Sequence, residues 1–297
     1  MESTVCQDVQ IPAATETHPL EETVKIDIKK DRILGKGKFG IVFEYTFKGT
    51  KVAVKRIQIL DCDEADSRER KREGKAMTNL IHDNVLRLIE EQEDENFKYL
   101  IFELCVGTVD DYVQGNYKGP MPTEVDGLIQ MASGLAYIHS QRFVHRDIKP
   151  ENVLISQTFV LKISDFGFCK TVTTSGTFSN SSGLKGTQNY MAPEYLEMKN
   201  KSEEEIRAIR ARLSLDIFSL GCVFFTYIKK DRSHLFKDPK TKNNFSITNN
   251  IVKGKKFIKG EIPDDHYAYK LIDEMTHSDP QKRLGLDEVI KALKSVQ

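Results

Sequence analysis

The stretch of this 297-residue chain richest in reactive groups is His145 to Asn152, HRDIKPEN. It lies between two apolar, strand-like runs, which predicts a loop, and loops on a rigid scaffold are where reactive groups concentrate. Asp147 can accept a proton from a hydroxyl, Lys149 can stabilise a phosphoryl group in transfer, and the amide oxygen of Asn152 suits Mg²⁺. We therefore predict Asp147 and Lys149 as catalytic residues and Asn152 as a metal ligand, with His145 in a structural role.

A further carboxylate, Asp165, opens the tripeptide Asp-Phe-Gly directly after the apolar run Val160 to Ser164. A carboxylate at the end of a strand can bind the metal that bridges the β- and γ-phosphates of a nucleotide. Taken alone, this tripeptide is equally compatible with a simple turn that binds no metal. Its position after the first loop makes Asp165 the second predicted metal ligand.

A glycine-rich segment, GKGKFG, places Gly35, Gly37 and Gly40 between two strand-like runs. Without side chains, such a segment lets backbone N–H groups approach phosphates closely. The spacing also occurs in plain turns and in dinucleotide-binding domains. Here a second strand follows instead of a helix, which disfavours the dinucleotide reading.

The third strand-like run contains Val52 to Lys55, VAVK. Alternation places Ala53 and Lys55 on one face, so a lysine occupies a position that an apolar residue would normally fill, unless it lies at a sheet edge. The helical segment Ser67 to Ile81 can supply a carboxylate opposite it. We predict a Lys55–Glu73 ion pair that holds the lysine against the α- and β-phosphates, with Glu69 as the weaker candidate, and hence ATP and Mg²⁺ as cofactors.

The elements that must position these groups change in type near Gly107. Before it, hydrophobic alternation predicts strands in an antiparallel arrangement, and after it helical patterns dominate. The predicted strands are Lys25–Leu34, Ile41–Phe47, Lys51–Ile57, Val85–Ile89 and Tyr99–Val106. The fold class is therefore α+β, with a flexible tail over 1–23 and a domain over 24–297 that divides into lobes of about 24–106 and 107–297.

Helix starts in the second half are marked by two capping pairs, Thr123 with Asp126 and Ser202 with Glu205. The second pair precedes a stripe that predicts a helix extending to Leu213. The apolar run Ile217 to Ile228 predicts a buried core helix, and it is too short to cross a bilayer.

Composition narrows the classes of partner. The 44 basic and 44 acidic residues cancel, which disfavours nucleic acid and anionic membranes as main partners. Five scattered cysteines with no C-x-x-C pair indicate neither a disulfide framework nor a zinc site. Because the N-terminus does not resemble a leader peptide, we expect a protein without a membrane span that is located in the cytoplasm or, as the alternative, in the nucleus.

Residues from about 25 to 295 resemble a complete eukaryotic protein kinase domain, whose activation segment closes at Ala192-Pro-Glu194. The resemblance implies a bilobal fold with ATP and Mg²⁺ between the lobes. Lys149 and the Gly186-Thr187 pair are similar to the serine/threonine pattern, which implies protein Ser/Thr acceptors. It further implies that Glu194 pairs with Arg283 and that Asp216 anchors the catalytic loop.

The resemblance also assigns the nucleotide pocket. Phe102 corresponds to the gatekeeper, and the backbone from Glu103 to Cys105 to the hinge that binds adenine, with Cys105 in a packing role. The adenine would lie between Val42, Ala53 and Leu154. An apolar stack would comprise Met77, Leu88, His145 and Phe166.

Several stretches are similar to one branch, the inositol-requiring kinase/endoribonuclease family that senses unfolded protein. They include Glu103–Cys105, Ile163–Gly167 and Asp279–Arg283. We expect this chain to lack the branch's endoribonuclease, so RNA cleavage is not carried over. The resemblance implies pairing with a second copy or a related kinase, and recruitment by such a partner to the endoplasmic reticulum surface.

The activation segment is rich in hydroxyl residues between Thr171 and Gly183. Arg146 places a cation beside Asp147, which predicts that a phosphate on this segment neutralises it and orders the loop. Thr177, Ser179 and Ser182 align with phosphorylation sites of the family, and we expect autophosphorylation. A nucleotide-binding pseudokinase scaffold and a decoy partner of a full-length kinase/endoribonuclease are the alternatives. The intact polar residues of the catalytic set argue against the scaffold.

Overall fold

The computed structural model describes residues 32–37, 40–59, 80–180, 184–208, 210–241 and 246–297. The first part of this region forms a five-stranded antiparallel sheet in the order β1-β2-β3-β5-β4. Its strands are β1 (Ile33–Gly37), β2 (Gly40–Phe47), β3 (Thr50–Gln58), β4 (Leu88–Glu93) and β5 (Phe97–Glu103). The predicted antiparallel arrangement is confirmed.

One face of this sheet is a small hydrophobic core. Phe43, Val54 and Ile101 are almost fully buried, and the register places all three side by side on adjacent strands. Alternation then turns Ala53 and Lys55 of β3 to the opposite face, where both are half-buried. The sheet therefore presents the predicted lysine away from its own core.

The first predicted strand, expected to end at Leu34, continues to Gly37, so Gly35 and Gly37 lie within β1, and the next two strands are each one residue longer at one or both ends. Two later strands differ more. The strand expected over Val85–Ile89 begins at Leu88, and Val85 forms an isolated bridge with Ile163 instead. The run Tyr99–Val106 is divided, since β5 ends at Glu103 and β6 (Cys105–Thr108) belongs to another sheet. The partner strand changes from β3 to β8, and hydrophobic alternation carries no information about such an exchange.

The second half is mainly helical. Its α-helices are α1 (Val109–Val113), α2 (Glu124–Ser140), α3 (Pro193–Glu197), α4 (Glu203–Ala208), α5 (Ser214–Lys229), α6 (Ser246–Val252), α7 (Tyr267–Met275) and α8 (Leu286–Lys294). Thr123 caps α2 as predicted, accepting a hydrogen bond from the Asp126 N–H. Every residue from Leu215 to Tyr227 of α5 is buried, which confirms the predicted core helix.

Short strands frame the loops between these helices. They are β7 (Phe143–Val144), β8 (Val153–Ser156), β9 (Leu161–Ile163), β10 (Lys170–Thr171), β11 (Thr177–Ser179) and β12 (Arg210–Arg212). They pair as β6-β8-β9, β7-β10 and β11-β12. Across the described ranges, no helix is both long and apolar enough to span a bilayer.

Two helix predictions were wrong at their ends. Ser202 and Glu205 do form the capping pair, but α4 ends at Ala208 and does not reach Leu213, because Arg210–Arg212 pairs with β11. Leu80 and Ile81, predicted as the end of a helix, are irregular. The remainder of that segment, with Glu69, Glu73 and Met77, lies outside the described residues, as do residues 1–31 and Ser182.

Candidate active site

The loop between β7 and β8 gathers two of the predicted groups, Lys149 and Asn152, around the carboxylate of Asp147, and Thr187 of the activation segment joins them. Asp147 is buried, and its Oδ2 lies 2.9 Å from Lys149 Nζ. The hydroxyl of Thr187 donates to Asp147 Oδ1 at 2.7 Å and accepts from Lys149 Nζ at 2.9 Å. A fixed carboxylate, a lysine and a hydroxyl therefore form a closed triangle, which suits proton acceptance beside a negatively charged reacting group.

Asn152 is fixed by the same carboxylate. Its Nδ2 donates to the Asp147 carbonyl oxygen at 2.8 Å and to Asp147 Oδ2 at 3.0 Å. Because both bonds use the nitrogen, the amide is oriented and its Oδ1 is left to act as an oxygen ligand. This donor chemistry fits Mg²⁺, which prefers oxygen and is often held by one or two protein groups together with phosphate.

Lys55 and Asp165 join the two halves of the domain. Lys55 Nζ lies 2.6 Å from Asp165 Oδ1, and both side chains are largely shielded from solvent. Burial opposes ionisation of Asp165, but the charge and hydrogen bond of Lys55 outweigh it and lower the pKa of this carboxyl. Asp165 is therefore ionised at neutral pH, as a metal ligand must be. The predicted partner Glu73 lies outside the described residues, so that ion pair stays a prediction.

Asp216 anchors the loop from the start of α5. Its Oδ2 accepts from the His145 N–H at 2.8 Å, and its Oδ1 accepts from the Arg146 N–H at 2.8 Å. His139 Nε2 lies 2.9 Å from Oδ2. Although burial opposes ionisation, these contacts lower the pKa of Asp216. The geometry agrees with the anchoring role that the resemblance implied.

His145 has the structural role predicted for it. Its ring is fully buried, Nδ1 accepts from the Asp147 N–H at 3.3 Å, and Nε2 lies 2.8 Å from the Ser164 carbonyl oxygen. The ring also packs against Phe166 with centroids 5.4 Å apart. One residue thus connects the Asp147 loop to the strand that carries Asp165.

The backbone is strained beside both reactive carboxylates. Arg146 has φ 68° and Asp165 has φ 60°, a left-handed conformation that costs energy for residues with a side chain. Arg146 immediately precedes Asp147, and Asp165 is itself a predicted metal ligand. At Asp165 this conformation accompanies a carboxylate that reaches Lys55 of β3.

The glycine-rich segment has the space that a phosphate requires. Among the residues that the structure describes, a Cβ added to Gly35 would have no neighbouring atom within 4 Å, and one added to Gly37 would touch only Gly40 O at 4.0 Å. At Gly40 the protein itself demands glycine, because φ is 137° and a Cβ would overlap the Arg56 carbonyl oxygen. The open side next to Gly35 and Gly37 fits the close backbone approach to phosphates predicted for this segment.

The residues predicted around the adenine are half-buried, as a cleft lining requires. Val42 lies opposite Lys55 and Ala53 opposite Phe102 in the sheet, while Leu154 belongs to β8. The Glu103 carboxylate accepts from the Arg87 N–H at 2.8 Å and lies 3.0 Å from Lys162 Nζ. The Glu103 side chain is thereby directed at protein groups, and the adenine contact of the Glu103–Cys105 backbone stays a prediction.

The Cys105 thiol is unreactive at neutral pH. Burial, with a smaller effect of Glu103, raises the pKa of its thiol to about 12. The thiolate is therefore a negligible species at neutral pH, which agrees with the packing role predicted for this hinge position.

The predicted pair of Glu194 and Arg283 is a bidentate ion pair. Arg283 Nη1 and Nη2 donate to Glu194 Oε1 and Oε2 at 2.7 and 2.6 Å, and the arginine side chain is fully buried. Arg283 also donates to the Ser214 carbonyl oxygen at 3.0 Å and to the His277 carbonyl oxygen at 2.8 Å. This arginine ties the end of the activation segment to α5 and to the chain after α7.

Thr187 is the functional residue that reasoning from the sequence undervalued. The prediction used Thr187 only to infer the acceptor class, yet its hydroxyl connects Asp147 and Lys149. The neighbouring Gly186 was the available signal: its φ is 116°, and a Cβ there would overlap the Arg146 carbonyl oxygen. Glycine is therefore required at position 186, because any side chain there would prevent this segment from approaching the catalytic loop.

A cavity lies beside the catalytic loop. It has a volume of about 350 Å³ and is lined by residues of α1, the loop, and the segment after α5, among them Asp110, Glu151, Tyr190, Arg232, His234 and Lys237. Although Glu151 as a residue is exposed, desolvation of its carboxyl raises its pKa, and the charge of Asp110 adds to this shift. Two carboxylates, those of Asp110 and Glu151, line this cavity together with the basic side chains of Arg232 and Lys237.

Comparison with known proteins agrees with this geometry. The family model described as "Protein kinase domain" matches residues 28–293. The chain is 34% identical over 271 residues to the serine/threonine-protein kinase/endoribonuclease ire-1 of Caenorhabditis elegans, an alignment that covers 87% of this chain. It is 33% identical over 292 residues to human serine/threonine-protein kinase/endoribonuclease IRE2, covering 93% of this chain.

A shorter protein shows similar identity. The Aurora kinase of Schizosaccharomyces pombe is 30% identical over 263 residues, which are 87% of this chain and 68% of that kinase. By contrast, the chain spans 26% of the nematode protein and 29% of the human one. The similarity to these two longer proteins therefore concerns their kinase parts.

Proposed function

The chain belongs to the protein kinase family, and on that basis we propose that it transfers the γ-phosphate of ATP to serine or threonine hydroxyls of proteins. The observation that carries the proposal is the triangle of Asp147, Lys149 and Thr187 next to the Asn152 amide and the Lys55–Asp165 pair. A binding scaffold would have no chemical need for this set.

Asp147 takes the part of proton acceptor in this proposal. Its carboxylate is held on both oxygens, so it is oriented before a substrate hydroxyl arrives. Lys149 and the Asn152 amide both contact Asp147 Oδ2. The ammonium group of Lys149 would stabilise the negative charge that develops on the phosphoryl group during transfer. The Thr187 hydroxyl, which bonds both Asp147 and Lys149, holds these two side chains in their relative positions.

The nucleotide would be held by the remaining predicted residues. Asn152 and Asp165 would hold Mg²⁺, whose charge stabilises the phosphate oxygens when it is bound. Lys55 would turn to the α- and β-phosphates, and the open backbone at Gly35 and Gly37 would cover them. The adenine would lie against Val42, Ala53 and Leu154, with its edge on the Glu103–Cys105 backbone.

A radiolabelled ATP assay tests this proposal. We expect the wild-type chain to transfer label to a generic basic protein substrate and the Lys55→Met variant to lose transfer by about 100-fold or more, since an oriented phosphate-binding charge is removed. Lys51→Met is a matched control on the same strand, because Lys51 is exposed and pairs with Glu44.

Equal label from the wild type and Lys55→Met would overturn the enzymatic proposal and favour the pseudokinase scaffold. Light scattering across a concentration series would then test whether the chain forms dimers, since a scaffold or a decoy would act by pairing with another chain.

We further propose that the acceptor site prefers a basic residue near the acceptor hydroxyl. The support is the position of Glu151 directly beside the catalytic loop, with Asp110 in the same cavity. Of the two cations that also line the cavity, Arg232 is engaged with Gln114, and Lys237 belongs to the segment after α5. A Glu151→Gln variant should lose roughly fivefold of the preference for an arginine-containing peptide over its alanine counterpart, equivalent to ~1 kcal/mol for a partly screened ion pair. The exposed Glu197→Gln variant is the control.

The preference should also depend on pH. Because the pKa of Glu151 is raised, its charge is lost as the pH falls through a value above the ordinary 4.5 of glutamate. The ratio of kcat/KM for the two peptides should therefore decline on acidification before ordinary carboxylates titrate. A ratio that does not fall on acidification and is insensitive to Glu151→Gln would contradict this specificity, with the catalytic proposal left intact.

A further inference from the structure

The cavity beside the catalytic loop carries charges of both signs. Its lining includes the carboxylates of Asp110 and Glu151 and the cationic side chains of Arg232 and Lys237. Within the described ranges, no ion pair joins either carboxylate to either cation. Opposite charges attract strongly at contact distance in a partly shielded space, so groups that line one cavity without pairing lie on different parts of its wall. The cavity therefore has an acidic side and a basic side.

The acidic side adjoins the catalytic loop. Glu151 belongs to that loop, and the charges of Glu151 and Asp110 add to the effect of burial in raising the pKa of Tyr190. Both carboxylates therefore lie near the Tyr190 hydroxyl. Asp110 also accepts a hydrogen bond from Gln114 Nε2. Among the residues that the structure describes, Glu151 is thus the carboxylate of this side that no other side chain holds.

The basic side is formed by the segment that follows α5. Arg232 is exposed, and its Nη2 donates to the oxygen of the Gln114 amide, whose nitrogen bonds Asp110. Burial lowers the pKa of His234 to about 4, with a smaller contribution from the charge of Lys237, although the Asn189 backbone opposes this shift. Lys237 therefore lies beside His234, and Arg232 is separated from Asp110 by the Gln114 amide.

Both cations keep hydrogen-bond donors for a ligand. Only Nη2 of the Arg232 guanidinium is engaged within the described part of the chain, and no hydrogen bond or ion pair there involves Lys237 Nζ. A guanidinium binds phosphate oxygens through parallel N–H donors, and an ammonium acts as a compact point charge. The two side chains together therefore suit a group with several negatively charged oxygens.

The wall next to Lys237 is neutral. His234 Nδ1 accepts from the Phe236 N–H at 3.2 Å, which places the proton of this imidazole on Nε2. The ring packs edge-on against Tyr190, with centroids 5.0 Å apart. Because the pKa of His234 is about 4, the ring carries no charge at neutral pH. The positive charge of the basic side is therefore that of Arg232 and Lys237.

The cavity is close to the proposed proton acceptor. Thr187, whose hydroxyl donates to Asp147 Oδ1 at 2.7 Å, also lines the cavity. One side chain thus separates the cavity from the carboxylate that a substrate hydroxyl must reach. A peptide with its hydroxyl at Asp147 can therefore place a neighbouring residue in this space.

We propose that Arg232 and Lys237 form a specificity site for an anionic residue of the protein substrate, with phosphoserine or phosphothreonine as the preferred occupant and aspartate or glutamate as a weaker one. The inference rests on the proposed kinase function and deepens it. A phosphate carries about −1.5 to −2 charges and three acceptor oxygens, which exceeds what a single carboxylate offers to two cations. The favoured substrate combines a basic residue facing Glu151 with an anionic residue facing Lys237.

Peptide kinetics test this specificity. Each peptide has one acceptor threonine and carries phosphoserine, aspartate or alanine at a position that is scanned through the residues on either side of it. At the best position, we expect kcat/KM of the wild type to be roughly tenfold higher for phosphoserine than for alanine, and about threefold higher for aspartate, since charge-assisted hydrogen bonds replace contacts with water. Lys237→Gln should reduce the phosphoserine preference to about threefold or less. Lys240→Gln, at an exposed lysine outside the cavity lining, is the control and should keep the wild-type preference.

A charge reversal protects the test against a loss of fold. Lys237→Glu should favour arginine over phosphoserine at the same peptide position, a result that only a folded and active variant can give. A wild-type preference near one at every position would overturn the inference, and so would a wild-type preference retained by both Lys237 variants. In these two cases, transfer to the alanine peptides would leave the kinase proposal standing. Absence of transfer to every peptide would overturn the kinase proposal and this inference with it.

Discussion

Replacing Asp147 by asparagine is expected to lower kcat for peptide phosphorylation by about 10²- to 10⁴-fold, the usual contribution of a positioned general base. Asparagine has nearly the same shape and can keep a hydrogen bond from the Thr187 hydroxyl, but it cannot accept the substrate proton. It also removes the charge that faces Lys149 Nζ at 2.9 Å. The loss should therefore appear in the chemical step, measured by steady-state and single-turnover kinetics.

The affinity for ATP provides the internal control for Asp147→Asn. Asp147 contacts Lys149, Thr187 and Asn152 and no residue of the predicted adenine pocket, so the dissociation constant of ATP should change little. Asp264→Asn, at an exposed aspartate, should match the wild type in both measurements. A kcat within about threefold of wild type in Asp147→Asn would mean that another group accepts the proton.

Replacing Arg283 by methionine is expected to destabilise the domain by roughly 3–5 kcal/mol, the cost of breaking a buried ion pair from one side. The Arg283 side chain is fully buried, and its removal leaves the Glu194 carboxylate and several carbonyl oxygens without their donor. Methionine conserves much of the apolar stem against Phe218, whose ring centroid lies 5.1 Å from the guanidinium carbon. Thermal unfolding should show a drop of about 10 °C.

A double-mutant cycle measures the interaction energy between Arg283 and Glu194. Glu194→Gln alone should also destabilise the domain, and the double variant should lose clearly less than the two single losses combined, because each single change leaves a partner uncompensated. Additive losses, or an Arg283→Met variant within about 1 kcal/mol of wild type, would show that the ion pair has no structural role.

Local chemistry in the sequence predicted most of the site. Asp147, Lys149, Asn152 and Asp165 lie where the two loops were expected to place them, since each follows a strand of clear apolar character. The core helix α5 was also predictable, because a continuous apolar run of this length must be buried. These features depend on residues close together in the chain.

The features that were missed depend on distant pairings. The segment predicted to be helical up to Leu213 instead forms β12, because it pairs with β11. Since β11 lies more than 30 residues earlier in the chain, no local sequence pattern could indicate this pairing. Thr187 likewise acquires its role only when the activation segment folds back onto the catalytic loop, 40 residues away along the chain. The Lys55–Asp165 pair crosses 110 residues and was predicted only as two separate motifs.

Mass spectrometry of the chain made in a host without eukaryotic protein kinases tests the central claim most directly. If the Asp147 site transfers phosphate, the wild type will carry phosphate on the hydroxyl-rich segment between Thr171 and Gly183, with Thr177 among the modified residues, and Asp147→Asn will carry none. Phosphate on both proteins, or on neither when ATP and Mg²⁺ are supplied, would contradict the account.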